Sequence, residues 1–290
     1  GLGLACCGAP AWWAGRQDLA EAAMAAFRAD WEALGKPRVI AACSSCQATF
    51  ARMASDIPVV SLWRVLLDEA GLPATSGALP NGPVAVHDAC TGRHDAAGLA
   101  AVREILANLG IAVEELPASG RLASCCGFGG LQANAHPELA AETIARRVAE
   151  SPRDFVATCS MCRDRLAGAG KRTYHLLDLL FAEGAGGPGD PGDRPDPGFS
   201  YRHEARARLK RALLETVWRE PQPPETPPAV RLVIPDAVRQ VMEARHVLDS
   251  DVARAVAHAE STGRKFTDAT TGRHLAGFAT ARVTYWALYE

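Results

Sequence analysis

The chain has 290 residues, 48% hydrophobic and 22% charged, and 31 Lys and Arg against 33 Asp and Glu leave a formal net charge of −2. That length buries one large core or two smaller ones without covalent staples, and the near-neutral balance disfavours non-specific binding to nucleic acid. No run of about eighteen apolar residues occurs, nor any charged-then-apolar leader, so neither a membrane span nor a secretory signal is predicted. The expected location is the cytoplasm, with membrane association only through a partner.

Along the chain, Ala5-Cys6-Cys7-Gly8 comes first, and because the opening residues already stand inside a motif, the natural chain is expected to extend upstream of Gly1. Leu19, Ala23, Phe27 and Trp31 recur every fourth residue and Gly35 closes the run, predicting a helix. Arg38 to Ala42 reads as a short buried strand delivering Cys43-Ser44-Ser45-Cys46, and an apolar segment, Leu62 to Leu67, follows. Pro83 to His87 is a second strand, leading to Cys90. Leu99, Val102, Leu106 and Leu109 line a helix ended by Gly110, and Ile111 to Leu116 is a third strand.

Ser124-Cys125-Cys126-Gly127-Phe128-Gly129-Gly130 then introduces a helix, Leu139 to Val148, with Pro137 in its first turn. The strand Phe155 to Thr158 carries Cys159-Ser160-Met161-Cys162, and a second apolar segment runs from Leu176 to Phe181. Doublet and Cys-x-x-Cys are 35 residues apart in the first half and 32 in the second, so the halves are an internal repeat. Alternating strands and helices predict an α/β fold: two similar lobes of parallel-sheet βα units that carry the cysteine motifs, over 1–75 and 76–183. Ligands of such sheets gather beyond the carboxyl ends of the strands, where both Cys-x-x-Cys pairs stand.

Residues 184–199, with six glycines and four prolines, read as a linker too poor in apolar residues to pack. The segment 200–228 reads as a helix followed by a Pro-rich break. Its helix sets Leu209, Leu213 and Val217 on one stripe and Arg202, Arg206 and Lys210 on another, the pattern of a docking helix with a solvated face or of a membrane or partner contact. A small α+β module, 229–290, is expected to hold helices near Asp236–Arg245 and Ser250–Thr262 and a hairpin ending at Val283–Tyr289.

With no secretory signal, clustered Cys-x-x-Cys pairs point to metal or redox chemistry rather than a disulfide frame. The second copy offers five thiols, Cys90, Cys125, Cys126, Cys159 and Cys162, whereas a tetrahedral Zn2+ takes four. Adjacent side chains on extended backbone diverge, so a doublet suits a centre of several irons, provided that it sits in a turn. Gly127, Gly129 and Gly130 permit that turn and let backbone N–H groups approach bridging sulfides, and Gly8 has the same place in the first copy. Structural zinc on four of the five thiols and a thioredoxin-like dithiol at one Cys-x-x-Cys remain alternatives.

Cys, an interval, Cys-Cys-Gly, an interval and Cys-x-x-Cys is the pattern of the CCG cysteine-rich domain, which the chain resembles over residues 1 to 183. The likeness is to the B subunit of heterodisulfide reductase and to iron–sulfur subunits of lactate or glycolate oxidation and of anaerobic glycerol-3-phosphate dehydrogenase. His87-Asp88-Ala89-Cys90-Thr91-Gly92-Arg93 is similar to that family's His-Asp-Pro-Cys-His-x-Gly-Arg element, from which Ala89 and Thr91 depart.

The resemblance implies two noncubane [4Fe-4S] clusters in the full-length protein. Cys90, Cys125, Cys126, Cys159 and Cys162 would bind one, and Cys6, Cys7, Cys43 and Cys46 the other, whose leading cysteine is expected upstream. It implies an iron–sulfur oxidoreductase subunit that moves single electrons and reduces a small-molecule disulfide. An electron relay beside a flavin-dependent dehydrogenase and a zinc scaffold are the alternatives. No Gly-x-Gly-x-x-Gly follows a strand, so a flavoprotein or ferredoxin-type donor is the implied partner. His87 is the candidate hydrogen-bond donor or proton source, Arg93 the candidate for offsetting cluster charge, and Phe128 for excluding water.

Overall fold

A computed structural model describes residues 6–73, 79–181, 190–222, 230–280 and 283–290. The chain divides into two compact units, Gly1–Asp196 and Pro197–Glu290.

In the first copy of the repeat, a short helix α1 (Ala9–Trp13) and the long α2 (Gln17–Ala33) lead to β1 (Val39–Ala41). Helix α3 (Ser44–Met53), strand β2 (Val59–Ser61) and helix α4 (Leu62–Val65) follow, and β1 and β2 pair in parallel. The second copy begins with β3 (Val84–His87), α5 (Ala96–Asn108) and β4 (Val113–Glu114). After the doublet come α6 (Gln132–Ala135), α7 (Pro137–Ala149), β5 (Asp154–Ala157), α8 (Ser160–Gly168), β6 (Thr173–His175) and α9 (Leu176–Leu180). Its four strands form one parallel sheet in the order β4-β3-β5-β6. The α/β architecture with parallel sheets carrying the cysteines is thus as the repeat predicts.

All four residues of β3 are buried, as in a parallel sheet covered on both faces. Val84 and Val86 face a cluster with Ile105 and Leu106 of α5 and with Leu176 and Leu179. Ala85, Phe155 and Ala157 face the other way, against Ile144 of α7 and Leu166 of α8. The two copies share a core: Trp63 and Leu66, from the first copy's apolar segment, join the cluster around Val84 and Leu106. Hydroxyls bridge them as well, Ser44 Oγ and Thr91 Oγ1 lying 2.8 Å apart.

The proposed 184–199 linker needs correction where it is described, since 190–196 pack onto the second copy (184–189 lie outside the described residues). Arg163, 1% exposed, donates to the carbonyls of Pro195 at 3.0 Å and Pro191 at 3.3 Å, and to that of Arg194. Gly192 lies against the Tyr174 ring, where a Cβ would stand 2.6 Å from Cζ. Backbone rather than apolar side chains makes these contacts, so composition could not reveal them.

In the second unit, α10 (Gly198–Leu213) is capped by Glu243, which accepts from the N–H groups of Phe199 and Ser200. Leu209 and Val217 of the predicted stripe are exposed. Helices α11 (Asp236–Ala244) and α12 (Asp249–Thr262) precede an antiparallel sheet of β7 (Lys265–Thr267), β8 (His274–Ala279) and β9 (Thr284–Tyr289), and Ala255 and Val256 of α12 pack with Ala287. Most of the Pro-rich break at 221–228 lies outside the described residues. No helix among the described residues is long and apolar enough to cross a membrane.

Both doublets end in the same turn. Gly8 and Gly127 have φ of +88° and +80°, and a Cβ on either would lie 2.9 Å from the carbonyl oxygen of Ala20 or 2.8 Å from that of Ala140. Each doublet is therefore pressed against the long helix of its copy, α2 or α7. Gly130 shares the positive φ, but a Cβ there meets nothing within 4 Å. A left-handed φ costs a residue with a Cβ about 1–2 kcal/mol, and Gly127→Ala adds a backbone clash. It should lower the melting temperature by at least about 4 °C, more than Gly130→Ala does, as circular dichroism will record. Arg163→Met should cost about 3 kcal/mol by removing the donor that the carbonyls of Thr173, Pro191, Arg194 and Pro195 share. Proteinase K should then cut within 190–196 faster than in the unaltered chain.

Candidate metal centre

The strands fix where the cysteines emerge. Register pairs His87 with Ala157 at the carboxyl ends of β3 and β5, so Cys90 and Cys159 leave the sheet side by side. Cys90 opens a 3-10 turn, Cys90–Gly92, while Cys159 caps the N-terminus of α8 and Cys162 lies in its first turn. Cys43 and Cys46 occupy the same places on α3. Unsatisfied N–H groups at a helix start favour a thiolate there.

In the second copy the sulfurs form a linked series, Cys90, Cys125, Cys126, Cys162 and Cys159, in which each shifts the proton affinity of the next, and Cys126 Sγ and Cys162 Sγ lie within 4.8 Å of each other. Cys125 is drawn down to about 2, first by the Cys126 thiol, then by that of Cys90 and by the backbone N–H groups of Gly127 and Gly129. The Gly127 N–H donates to its sulfur at 3.3 Å. Cys126 is pushed up to about 12, chiefly by Cys125, and Cys162 well above its ordinary value by Cys126, Cys159 and burial. Cys90 is raised by Cys125, whereas Cys159 is lowered by Cys162. Cys125 and Cys159 are drawn down while Cys90, Cys126 and Cys162 are pushed up, because neighbouring thiolates repel in a site of low dielectric. Full ionisation requires positive charge among them, of the kind that metal ions carry.

The first copy brings three thiols together. Cys46 stands between Cys43 and Cys7 and is raised by both, and its thiol draws each of them down to about 6. Cys6, the counterpart of Cys125, is exposed and accepts from the Gly8 N–H at 3.5 Å. The charge of Cys43 is felt at Cys159, so the two centres are neighbours.

The glycines divide the work. Gly127 and Gly129 offer N–H groups to Cys125, and a Cβ on Gly129 would lie 4.0 Å from Cys90 Sγ, while Gly130 shapes the turn without a close approach. Arg93 donates to the carbonyls of Cys90 at 2.8 Å and Ala123 at 3.2 Å, tying the Cys90 turn to the approach of the doublet. Its charge also favours the Cys90 thiolate. Phe128, half-buried, meets the Trp13 ring edge-on, with centroids 6.4 Å apart.

His87 is 1% exposed. One of its ring nitrogens lies within 4.8 Å of the sulfurs of Cys126 and Cys162, which are themselves within that distance of each other. Burial, and then the charge of Arg147, hold its pKa down to about 4. Arg147, equally buried, went unrecognised in the sequence. The available signal is its position on α7: Ala140, Ile144 and Arg147 share one buried stripe, where an arginine needs a partner. Asp88 is a second case, buried against Arg103 with contacts of 2.6 and 2.8 Å and accepting from the Gly120 N–H at 2.7 Å.

No curated protein sequence matches the chain. The family model of the CCG cysteine-rich domain matches residues 3–51 and 84–167, which span both doublets and both Cys-x-x-Cys pairs. Clusters of this kind suggest metal or iron–sulfur binding. The chain belongs to the CCG cysteine-rich domain family and carries two copies of the domain.

Proposed function

We propose that this chain is an iron–sulfur oxidoreductase subunit of the heterodisulfide reductase type, which transfers single electrons and reduces a small-molecule disulfide. The observation that carries the reading is the linked series of five sulfurs in the second copy. A single Zn2+ would leave one of them unbound in the middle of, or beside, four others. The orphaned nitrogen of His87, Nε2, suits an inorganic core with acceptor sulfides of its own.

Cys90, Cys125, Cys126, Cys159 and Cys162 would hold this centre, and Cys7, Cys43 and Cys46, with Cys6, a second. A [4Fe-4S] cluster, when bound, supplies one-electron chemistry at a potential set by charge, burial and hydrogen bonds to its sulfurs. The chain supplies that surrounding: N–H groups of Gly127 and Gly129, the nearby charge of Arg93, and walls formed by Phe128 and the buried residues under α7. Electrons would come from a flavoprotein or ferredoxin-type partner, and the closeness of Cys43 to Cys159 suits transfer between the centres.

Anaerobic reconstitution should yield bound iron with matching labile sulfide, and zinc without labile sulfide would overturn the reading. Cys126→Ser should abolish the visible absorption and paramagnetic signal of the second centre, whereas Cys43→Ser should leave both in place. Reduced viologen should drive disulfide cleavage. Electron transfer to an acceptor dye with no cleavage of any disulfide would identify a relay subunit instead.

A further inference from the structure

His87 ends β3 on the sheet face that packs against α7, where Arg147 meets it: Nε donates to His87 Nδ1 at 2.9 Å. A guanidinium N–H only donates, so Nδ1 must present a lone pair. A neutral imidazole with a free lone pair on Nδ1 carries its proton on Nε2. That atom is buried and has no hydrogen-bond partner among the described residues. The ring reaches within 4.8 Å of Cys126 Sγ and Cys162 Sγ.

Arg147 is itself held in place, with Nη1 donating to the Ala118 carbonyl at 2.9 Å and to Glu150 at 2.5 Å, which balances the buried charge. Among the described residues the first copy shows no such pair. Counting seven residues along the helix from the carbonyl that abuts each doublet, Ala140 leads to Arg147 but Ala20 leads to Phe27, which packs on Phe50.

We infer that Arg147 is a positioning residue that fixes His87 as the Nε2–H tautomer, giving the second centre a buried N–H donor to sulfur and barring His87 from ligating the metal. For the identity of the centre this rests on the iron–sulfur reading above. The tautomer rests on the hydrogen bond alone. A lone pair on Nε2 would be needed to bind a metal ion, and the Arg147 bond places a proton there instead. An N–H···S bond stabilises the more negative, reduced state of a cluster and so raises its potential.

Two measurements on the unaltered 290-residue chain test this without risk of a folding defect. With histidine labelled by 15N, two-bond proton–nitrogen correlation spectra of the purified chain should show His87 protonated at Nε2, whether or not iron binds. Protonation at Nδ1 would overturn the inference and leave the iron–sulfur reading standing. In the reconstituted, reduced chain, electron–nuclear double resonance should show an exchangeable proton coupled to the second centre, lost in D2O. The large 15N coupling of a directly bound histidine would sink the inference. Arg147→Met, checked by circular dichroism, should lower the midpoint potential of the second centre only, and Arg147→Lys should restore it. If Arg147→Met does not fold, His87→Leu against His87→Gln makes the same comparison, because the glutamine amide retains an N–H. An unchanged potential in the folded variant that lacks the donor would refute the role.

Discussion

Thiolates cannot be gathered in one low-dielectric site unless something positive lies among them, and the first unit is organised around that constraint. Five sulfurs of the second copy meet where two neighbouring parallel strands end, and each shifts the proton affinity of its neighbours. Backbone N–H groups of the glycine turn, the start of α8 and the charge of Arg93 each offset part of the negative charge. None of them cancels it. The remainder is what a metal centre would neutralise, and the scaffold around it is built to hold the sulfurs in place meanwhile.

That scaffold works by combining rigid and permissive parts. The sheet is buried on both faces, so β3 and β5 cannot shift without opening two cores. Helices α3 and α8 start immediately after their strands, which sets each Cys-x-x-Cys on a first turn. The doublets need a left-handed backbone, and Gly8 and Gly127 supply it where a Cβ would collide with α2 or α7. Two copies of one solution then share a core through Trp63 and Leu66, which brings Cys43 near Cys159.

The copies are not equivalent. The second carries a buried histidine and arginine beside its sulfurs and the first an aromatic pair, Phe27 with Phe50. A repeated fold thereby surrounds two similar sulfur sets with different polarity. For electron transfer such a difference is useful, since hydrogen bonding to sulfur is one of the terms that sets a potential.

Much of this was legible in the residues themselves. Periodicity located the long helices α2, α5 and α7, doublets and Cys-x-x-Cys pairs exposed the repeat, and Gly127 marked the turn, because each of these signals is local: a period, a spacing or a positive φ. The contacts of Arg147 with His87 and of Arg163 with residues 190–196 were not, since they join positions 60 and about 30 residues apart. A buried arginine looks like any other until its partners are known. Sequence alone determined which residues could ligate; only the tertiary structure decided which sulfurs are neighbours and which nitrogen of His87 faces Arg147, because both depend on strand register and on the helix packed across the sheet.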